Sequence, residues 1–122
     1  MRNQAIRFEI PAKDIERAAK FYSGVFRSQM HIQRTGSSLM GYIPNDGCAC
    51  KSKLIYTERH QSSENGVLVY ISSGSDLNTI LRRVPSAGGE VVVPKTLITR
   101  EIGYFGVFLD TEGNRLALHS QG

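Results

Sequence analysis

Four polar side chains near the two ends of the chain are the candidates for chemistry in this sequence: Arg7, Glu9, Arg115 and His119. Arg7 and Glu9 are two residues apart and Arg115 and His119 are four apart, so the members of each pair lie on the same side if the segment is a β-strand. An arginine can hold a carboxylate or a phosphate through two N–H groups. A glutamate or a histidine can exchange protons as a general acid or base. The types and spacing therefore predict a ligand-binding surface, on which Glu9 and His119 are the catalytic candidates.

Ordinary structural roles are the alternative for the same four residues. Arg7 and Glu9 can pair at the edge of a sheet, which contributes about 0 to 1 kcal/mol when the pair is exposed. His119 stands close to the last residue, where histidines are often structural or frayed. Arg115 can be a solvated side chain whose aliphatic stem covers apolar surface. The sequence alone leaves both alternatives open.

Strands and helices that would position these residues follow from the hydrophobic pattern. Apolar residues alternate over 5–11, which is typical of a half-buried strand. Over 14–26 they recur every three or four residues behind a capping aspartate, which predicts a helix. Two apolar strands flank an acidic, glycine-containing turn at 103–120, which predicts a hairpin.

The second half of the chain repeats the plan of the first at an offset of roughly 60 residues, and internal repeats define architecture. It has a predicted strand at 67–72, a helix at 75–84 that Pro85 should stop or kink, and a strand at 90–94. Residues 96–103 are ambiguous between strand and loop. We therefore predict one α+β domain, 1–122, built of two βαβββ modules (about 1–59 and 66–122) that form a curved mixed sheet around a cavity.

Composition excludes several classes of protein. The net charge is +4 and the isoelectric point about 9.3, but the basic residues are scattered, so we do not expect nucleic-acid binding. Neither an apolar run that could span a bilayer nor a secretory leader is present, which predicts no membrane partner and a cytoplasmic location.

Cys48 and Cys50 fit a reducing compartment. Two thiols without further ligands nearby are too few to complete the coordination of a metal ion. What these two cysteines do is not indicated.

Four stretches, 8–26, 65–71, 87–96 and 103–120, carry a resemblance to a known family in the right order and spacing. They resemble the vicinal oxygen chelate superfamily, which contains glyoxalase I, bleomycin-resistance proteins and extradiol dioxygenases. The resemblance implies paired βαβββ modules, a cavity lined by the sheet, a small-molecule ligand and often a homodimer. It covers almost the whole chain.

Metal-dependent members of that superfamily hold a divalent ion with four ligands on the first and last strands of each module. By this resemblance the four positions fall at Ala5, at Val67 or Leu68, at Ala117, and within 53–56, where no histidine or carboxylate stands. Aliphatic side chains offer no electron pair to a metal. We therefore expect no metal site and no cofactor.

The resemblance also predicts which side chains face the cavity. If Ala5 and Ala117 face it, then by alternation Arg7, Glu9, Arg115 and His119 do so too. The resulting prediction is a metal-independent small-molecule-binding protein of the glyoxalase and bleomycin-resistance type, which sequesters or senses a small polar or aromatic ligand. The alternative is a lyase- or isomerase-like enzyme of the same superfamily, similar to lactoylglutathione lyase, with or without a divalent metal. The identity of the ligand does not follow from the sequence.

Overall fold

The structure is a computed structural model that describes residues 8–35, 38–42, 53–56 and 61–122. Arg7, Cys48 and Cys50 lie outside this range. The elements of the first module are β1 (Glu9–Pro11), α1 (Ile15–Phe26), β2 (Ile32–Thr35), β3 (Ser38–Tyr42) and β4 (Lys53–Tyr56). The elements of the second are β5 (Val69–Ser72), α2 (Asn78–Leu81), α3 (Val84–Ala87), β6 (Glu90–Thr99), β7 (Gly103–Leu109) and β8 (Arg115–Ser120).

Both modules have the same strand order. The first sheet runs β1-β4-β3-β2 and the second β5-β8-β7-β6. In each sheet the first strand of the module pairs in parallel with the last, and the other pairs are antiparallel. This topology confirms the predicted α+β class and the repeated βαβββ plan. Among the described residues the two sheets form separate four-stranded ladders.

Helix α1 begins where the sequence predicted. Asp14 is in an extended conformation before the helix, and its carboxylate accepts a hydrogen bond from the backbone N–H of Arg17 at 3.2 Å. This bond satisfies one of the donors that the first turn leaves without an intrahelical partner. The helix ends at Arg27, whose φ of 55° is left-handed and closes the last turn.

The predicted second helix is instead two short helices. Helix α2 begins after Leu77, whose apolar side chain cannot cap it, and the Asp76 carboxylate accepts hydrogen bonds from the N–H of Asn78 and the Nζ of Lys95. Pro85 lies in the first turn of α3, so it begins a helix and does not stop one, since its missing N–H has no helical partner there. No helix among the described residues has the length and hydrophobicity needed to cross a bilayer.

A single hydrophobic core joins the two modules through α1. The ring of Phe21 lies 6.0 Å from that of Phe108 on β7, and a Cβ on Gly24 would be 3.7 Å from the Cβ of Ala87 in α3. The buried core residues from α1 are Ile15, Ala18, Ala19, Phe21, Tyr22 and Val25, and those from the second module are Leu77, Leu81, Val84, Phe108, Leu116 and Leu118. Each sheet therefore turns one face toward the helices, and its other face, the open face, has no helix packed on it among the described residues.

Candidate functional site

The open face of the second sheet is defined by strand alternation. Leu116 and Leu118 on β8 belong to the core, so the residues between and beside them point the other way. The residues of β5 and β7 that pair with these β8 residues point to the same side of the sheet. The open face consists of Tyr70, Ser72, Phe105, Val107, Leu109, Arg115, Ala117 and His119.

Ala117 lies at the centre of the open face. Its pairing partners are Tyr70 on β5 and Val107 on β7, and side chains directly opposite each other are about 4.5 to 5.5 Å apart at Cβ. Ala117 is fully buried, whereas Tyr70 is 54% exposed. The methyl group of Ala117 is therefore covered by its neighbours, while the aromatic ring beside it is exposed.

Arg115 stands on the same face at the beginning of β8. The residue is partly buried, and its Nε is fully buried and has no hydrogen-bond partner. An unpartnered buried donor costs about 1 to 3 kcal/mol, and more when the group is charged. Within the described residues no carboxylate forms an ion pair with Arg115. The guanidinium therefore keeps donor capacity that the fold does not use.

His119 is tied to the backbone. Its Nε2 lies 2.5 Å from the carbonyl oxygen of Ile102, in the turn between β6 and β7. Because a carbonyl only accepts, this nitrogen carries the proton and donates. The side-chain amide of Gln121 donates to the same oxygen at 3.1 Å. Nδ1 is thus the ring nitrogen that remains for a ligand or a proton.

Glu9 lies on the open face of the first sheet and pairs with a lysine. It is the register partner of Lys53 on β4, and the Nζ of Lys53 is 3.5 Å from its carboxylate. The sequence predicted an alternative pairing of Glu9 with Arg7, and Arg7 is outside the described residues. In the part of the chain that the structure describes, no hydrogen bond or ion pair joins Glu9 to Arg115 or His119. Whether these four residues share one ligand stays a prediction.

A buried polar cluster in the β7–β8 turn was not predicted from the sequence. The carboxylate of Asp110 accepts bonds from the N–H groups of Glu112 and Asn114, from the amide of Asn114, and from the hydroxyl of Tyr22 on α1 at 2.8 Å. The Asn114 amide also donates to the carbonyl of Pro11 at 2.7 Å. Burial, together with the adjacent Asp110 charge, raises the pKa of Tyr22 well above its ordinary value. The cluster fastens the second module to α1 and β1.

Glu112 forms the second half of this cluster. Its buried carboxylate receives two bonds from Arg17, at 2.7 and 3.0 Å, one from the N–H of Asp14 and one from the hydroxyl of Thr111. Burial alone would raise the pKa of Glu112, but the donors together outweigh it and leave the pKa lowered from 4.5. Glu112 is therefore ionised in the folded protein at neutral pH.

The lowered pKa of Glu112 predicts a specific dependence of stability on pH. Below about pH 4.5 the unfolded chain binds this proton before the folded chain does, so the contribution of Glu112 is lost as the pH falls toward the folded pKa. We expect Glu112→Gln to lower the free energy of unfolding by about 1 to 3 kcal/mol at pH 7, and by progressively less below pH 4.5. Denaturant unfolding at several pH values measures the difference. The exposed Glu64→Gln should keep a constant offset from the original protein, and a constant offset for Glu112→Gln would contradict the assignment.

Comparison with known proteins agrees with this topology. The sequence profile of the Glyoxalase/Bleomycin resistance protein/Dioxygenase superfamily matches residues 4–118. The chain belongs to this superfamily. A glyoxylase-like domain-containing protein of Didymella fabae is 29% identical over 121 residues, which is 97% of this chain and 94% of that protein.

Solved structures of the superfamily have the same fold. A glyoxalase/bleomycin resistance protein from Albidiferax ferrireducens T118 superposes with a TM-score of 0.76 at 15% identity, over 97% of this chain and 98% of that one. TnmS3, an antibiotic binding protein from Streptomyces sp. CB03234, superposes with a TM-score of 0.65 at 19% identity, over 98% of this chain and 97% of that one. At these identities the likeness concerns the fold.

This chain offers few donor atoms for the metal ion that some members of the superfamily bind. Of the positions that correspond to its ligands, Val67, Leu68 and Ala117 are aliphatic, and residues 53–56 contain no histidine, cysteine or carboxylate. Ala5 lies outside the described residues. Within the described ranges, no cluster of three histidine, cysteine, aspartate or glutamate side chains could hold an ion. The residues present do not fit a divalent metal at this place, because such an ion needs several oxygen, nitrogen or sulfur donors.

Proposed function

We propose that the protein binds a small molecule on the open face of the second sheet without the help of a divalent metal. The observation that carries this proposal is the exposed ring of Tyr70, which shares this face with Arg115, whose buried Nε has no hydrogen-bond partner among the described residues. An aliphatic centre with an aromatic wall and polar groups at the rim is typical of binding pockets. The antibiotic-binding neighbour supports such a role for this fold. The ligand is then a small polar or aromatic compound of the cytoplasm.

A homodimer is part of the proposal. The described residues expose several large apolar side chains around the second sheet: Val67, Tyr70, Leu97, Ile98 and Ile102. Exposed apolar surface of this kind is typical of contact surfaces between copies or with a ligand. The expected molar mass by light scattering is twice that of the 13.5 kDa chain.

Metal addition separates binding from metal-dependent catalysis. We expect no turnover of a hemithioacetal in the presence of nickel or zinc, because the described positions supply no ligand set. A compound library screened by thermal shift should instead contain stabilising ligands. At a hundredfold excess over its dissociation constant, a ligand adds about 2.7 kcal/mol to the free energy of unfolding. A protein purified without chelator that contains one tightly held metal ion per chain would overturn the proposal.

An enzyme that uses other residues is the second candidate. It is favoured by the partly exposed Glu9 beside Lys53 on the open face of the first sheet, since a carboxylate in contact with an ammonium group is a common acid–base arrangement. Glu9→Gln and His119→Ala distinguish the two functions. If either variant loses turnover of a compound that it still binds with the original affinity, the protein is an enzyme. If affinity and turnover are both unaffected, these residues have no role in the chemistry.

A further inference from the structure

Two buried polar atoms in neighbouring segments have no hydrogen-bond partner: Oγ of Ser62 and Nε of Arg115. Each residue is next to a member of the same hydrogen bond, in which the N–H of Ser63 donates to the side-chain oxygen of Asn114 at 3.1 Å. This bond holds the segment before β5 against the beginning of β8. The two unpartnered atoms thus belong to one locality of the fold.

Both atoms can donate to the same kind of partner. An arginine Nε–H and its neighbouring Nη–H form a rigid pair of donors that matches two oxygens of a carboxylate or a phosphate. A serine hydroxyl supplies a third donor and rotates to meet an acceptor. A neutral group would satisfy the hydrogen bonds but leave the charge of Arg115 without compensation. The chemistry of the pair therefore selects an oxyanion.

Among the described residues, the carboxylates near Arg115 have other partners or lie too far away. Asp110 and Glu112 are occupied by the donors of the β7–β8 turn. Glu90 stands in the same row as Arg115, but Leu109 lies between them, so the two residues are two strand spacings apart, about 9 to 10 Å. The charge of Arg115 is thus available to a ligand.

We propose that Arg115 and Ser62 form an oxyanion subsite, which holds a carboxylate or phosphate of the ligand beside Ala117 and Tyr70. This inference rests on the proposed function and specifies its ligand: an aromatic or apolar body with an anionic group at one end. The body lies against the exposed ring of Tyr70, and the anionic group lies at the beginning of β8. Carboxylate and phosphate share the required chemistry, and binding measurements distinguish them.

Three matched probes test the subsite: benzoate, phenyl phosphate and the neutral benzyl alcohol. We expect both anions to bind more tightly than benzyl alcohol, and the tighter of the two identifies the natural group. Arg115→Gln should weaken the binding of both anions about tenfold or more and leave benzyl alcohol unchanged. Arg115→Lys should recover only part of the affinity, because it keeps the charge but not the paired donors. Arg82→Gln removes the same charge from exposed helix α2 and serves as the control.

A spectroscopic measurement reports on the contact itself. The Nε–H signal of Arg115 in an NMR spectrum, assigned by its absence from Arg115→Gln, should move downfield when an anion is added. Ser62→Ala should reduce this shift, whereas Ser63→Ala on the neighbouring exposed residue should not.

The outcomes separate the subsite from the proposed function. If benzyl alcohol binds as tightly as the anions, or if Arg115→Gln binds them as the original protein does, the subsite is wrong and small-molecule binding stands. If no probe and no library compound binds at millimolar concentration, both proposals are wrong. If Arg82→Gln weakens the binding of the anions as much as Arg115→Gln does, the effect is general charge attraction, and the subsite proposal is wrong.

Discussion

Replacement of Asp110 by alanine is expected to lower the free energy of unfolding by about 3 to 5 kcal/mol at neutral pH. The carboxylate accepts hydrogen bonds from the backbone N–H groups of Glu112 and Asn114, from the Asn114 amide and from the Tyr22 hydroxyl. Removal of this buried acceptor leaves the two backbone N–H groups and the Tyr22 hydroxyl without partners, and the Asn114 amide keeps only its bond to the carbonyl of Pro11. The loss falls at the contact between the second module and α1.

Denaturant unfolding followed by circular dichroism measures this effect, and two comparisons make it specific. The exposed Glu64→Ala should change stability by no more than about 0.5 kcal/mol. The double variant Asp110→Ala/Tyr22→Phe should lose less than the sum of the single variants, because the phenol that Asp110→Ala leaves unpaired is then absent. Additive losses would show that the hydrogen bond between these two side chains does not contribute.

Gly89→Ala is the second substitution with a large expected effect, about 1 to 3 kcal/mol of destabilisation. A Cβ at this position would lie 2.5 Å from the carbonyl oxygen of Leu109, 2.7 Å from Cε1 of Phe21 and 2.9 Å from Cγ1 of Val84. These atoms belong to β7, α1 and α3, so the glycine lies where both modules approach most closely. Because a backbone oxygen is among them, rotation of a side chain cannot relieve the clash.

Gly66→Ala is the matched control for this substitution. A Cβ at Gly66 meets no heavy atom within 4 Å. The same chemical change should therefore alter stability by no more than about 0.5 kcal/mol there. Thermal or denaturant unfolding of the two variants side by side gives the comparison. If Gly89→Ala and Gly66→Ala are equally stable, the contacts around Gly89 are looser than these distances indicate.

The first helix and the repeat were predictable because their signals are local. Asp14 and the apolar stripe after it define α1 to within one residue. The division of the second helix was not predictable, since Pro85 can either stop one helix or begin the next, and only the packing of Val84 selects the second. The extension of β6 through the ambiguous segment to Thr99 depends on pairing with β7, a contact that no alternation in the sequence reveals.

The facing of the β8 side chains was predicted from the sequence. Alternation on β8 correctly placed Leu116 and Leu118 in the core, with Arg115 and His119 on the other face. The bond between His119 and the carbonyl of Ile102 depends on a turn elsewhere in the sheet, so it could not be predicted from the residues around His119. The same is true of the pair formed by Arg17 and Glu112, which are 95 positions apart in the chain.

One side of the second sheet packs in the core and the other does not, and this separation affects how the sequence can diverge. The leucines of β8 that hold the modules together and the residues of the proposed binding face alternate on one strand but point in opposite directions. Substitutions at Arg115, Ala117 or Tyr70 can therefore alter what is recognised while the interior keeps its packing. New specificities are accessible to descendants of this sequence without loss of their architecture.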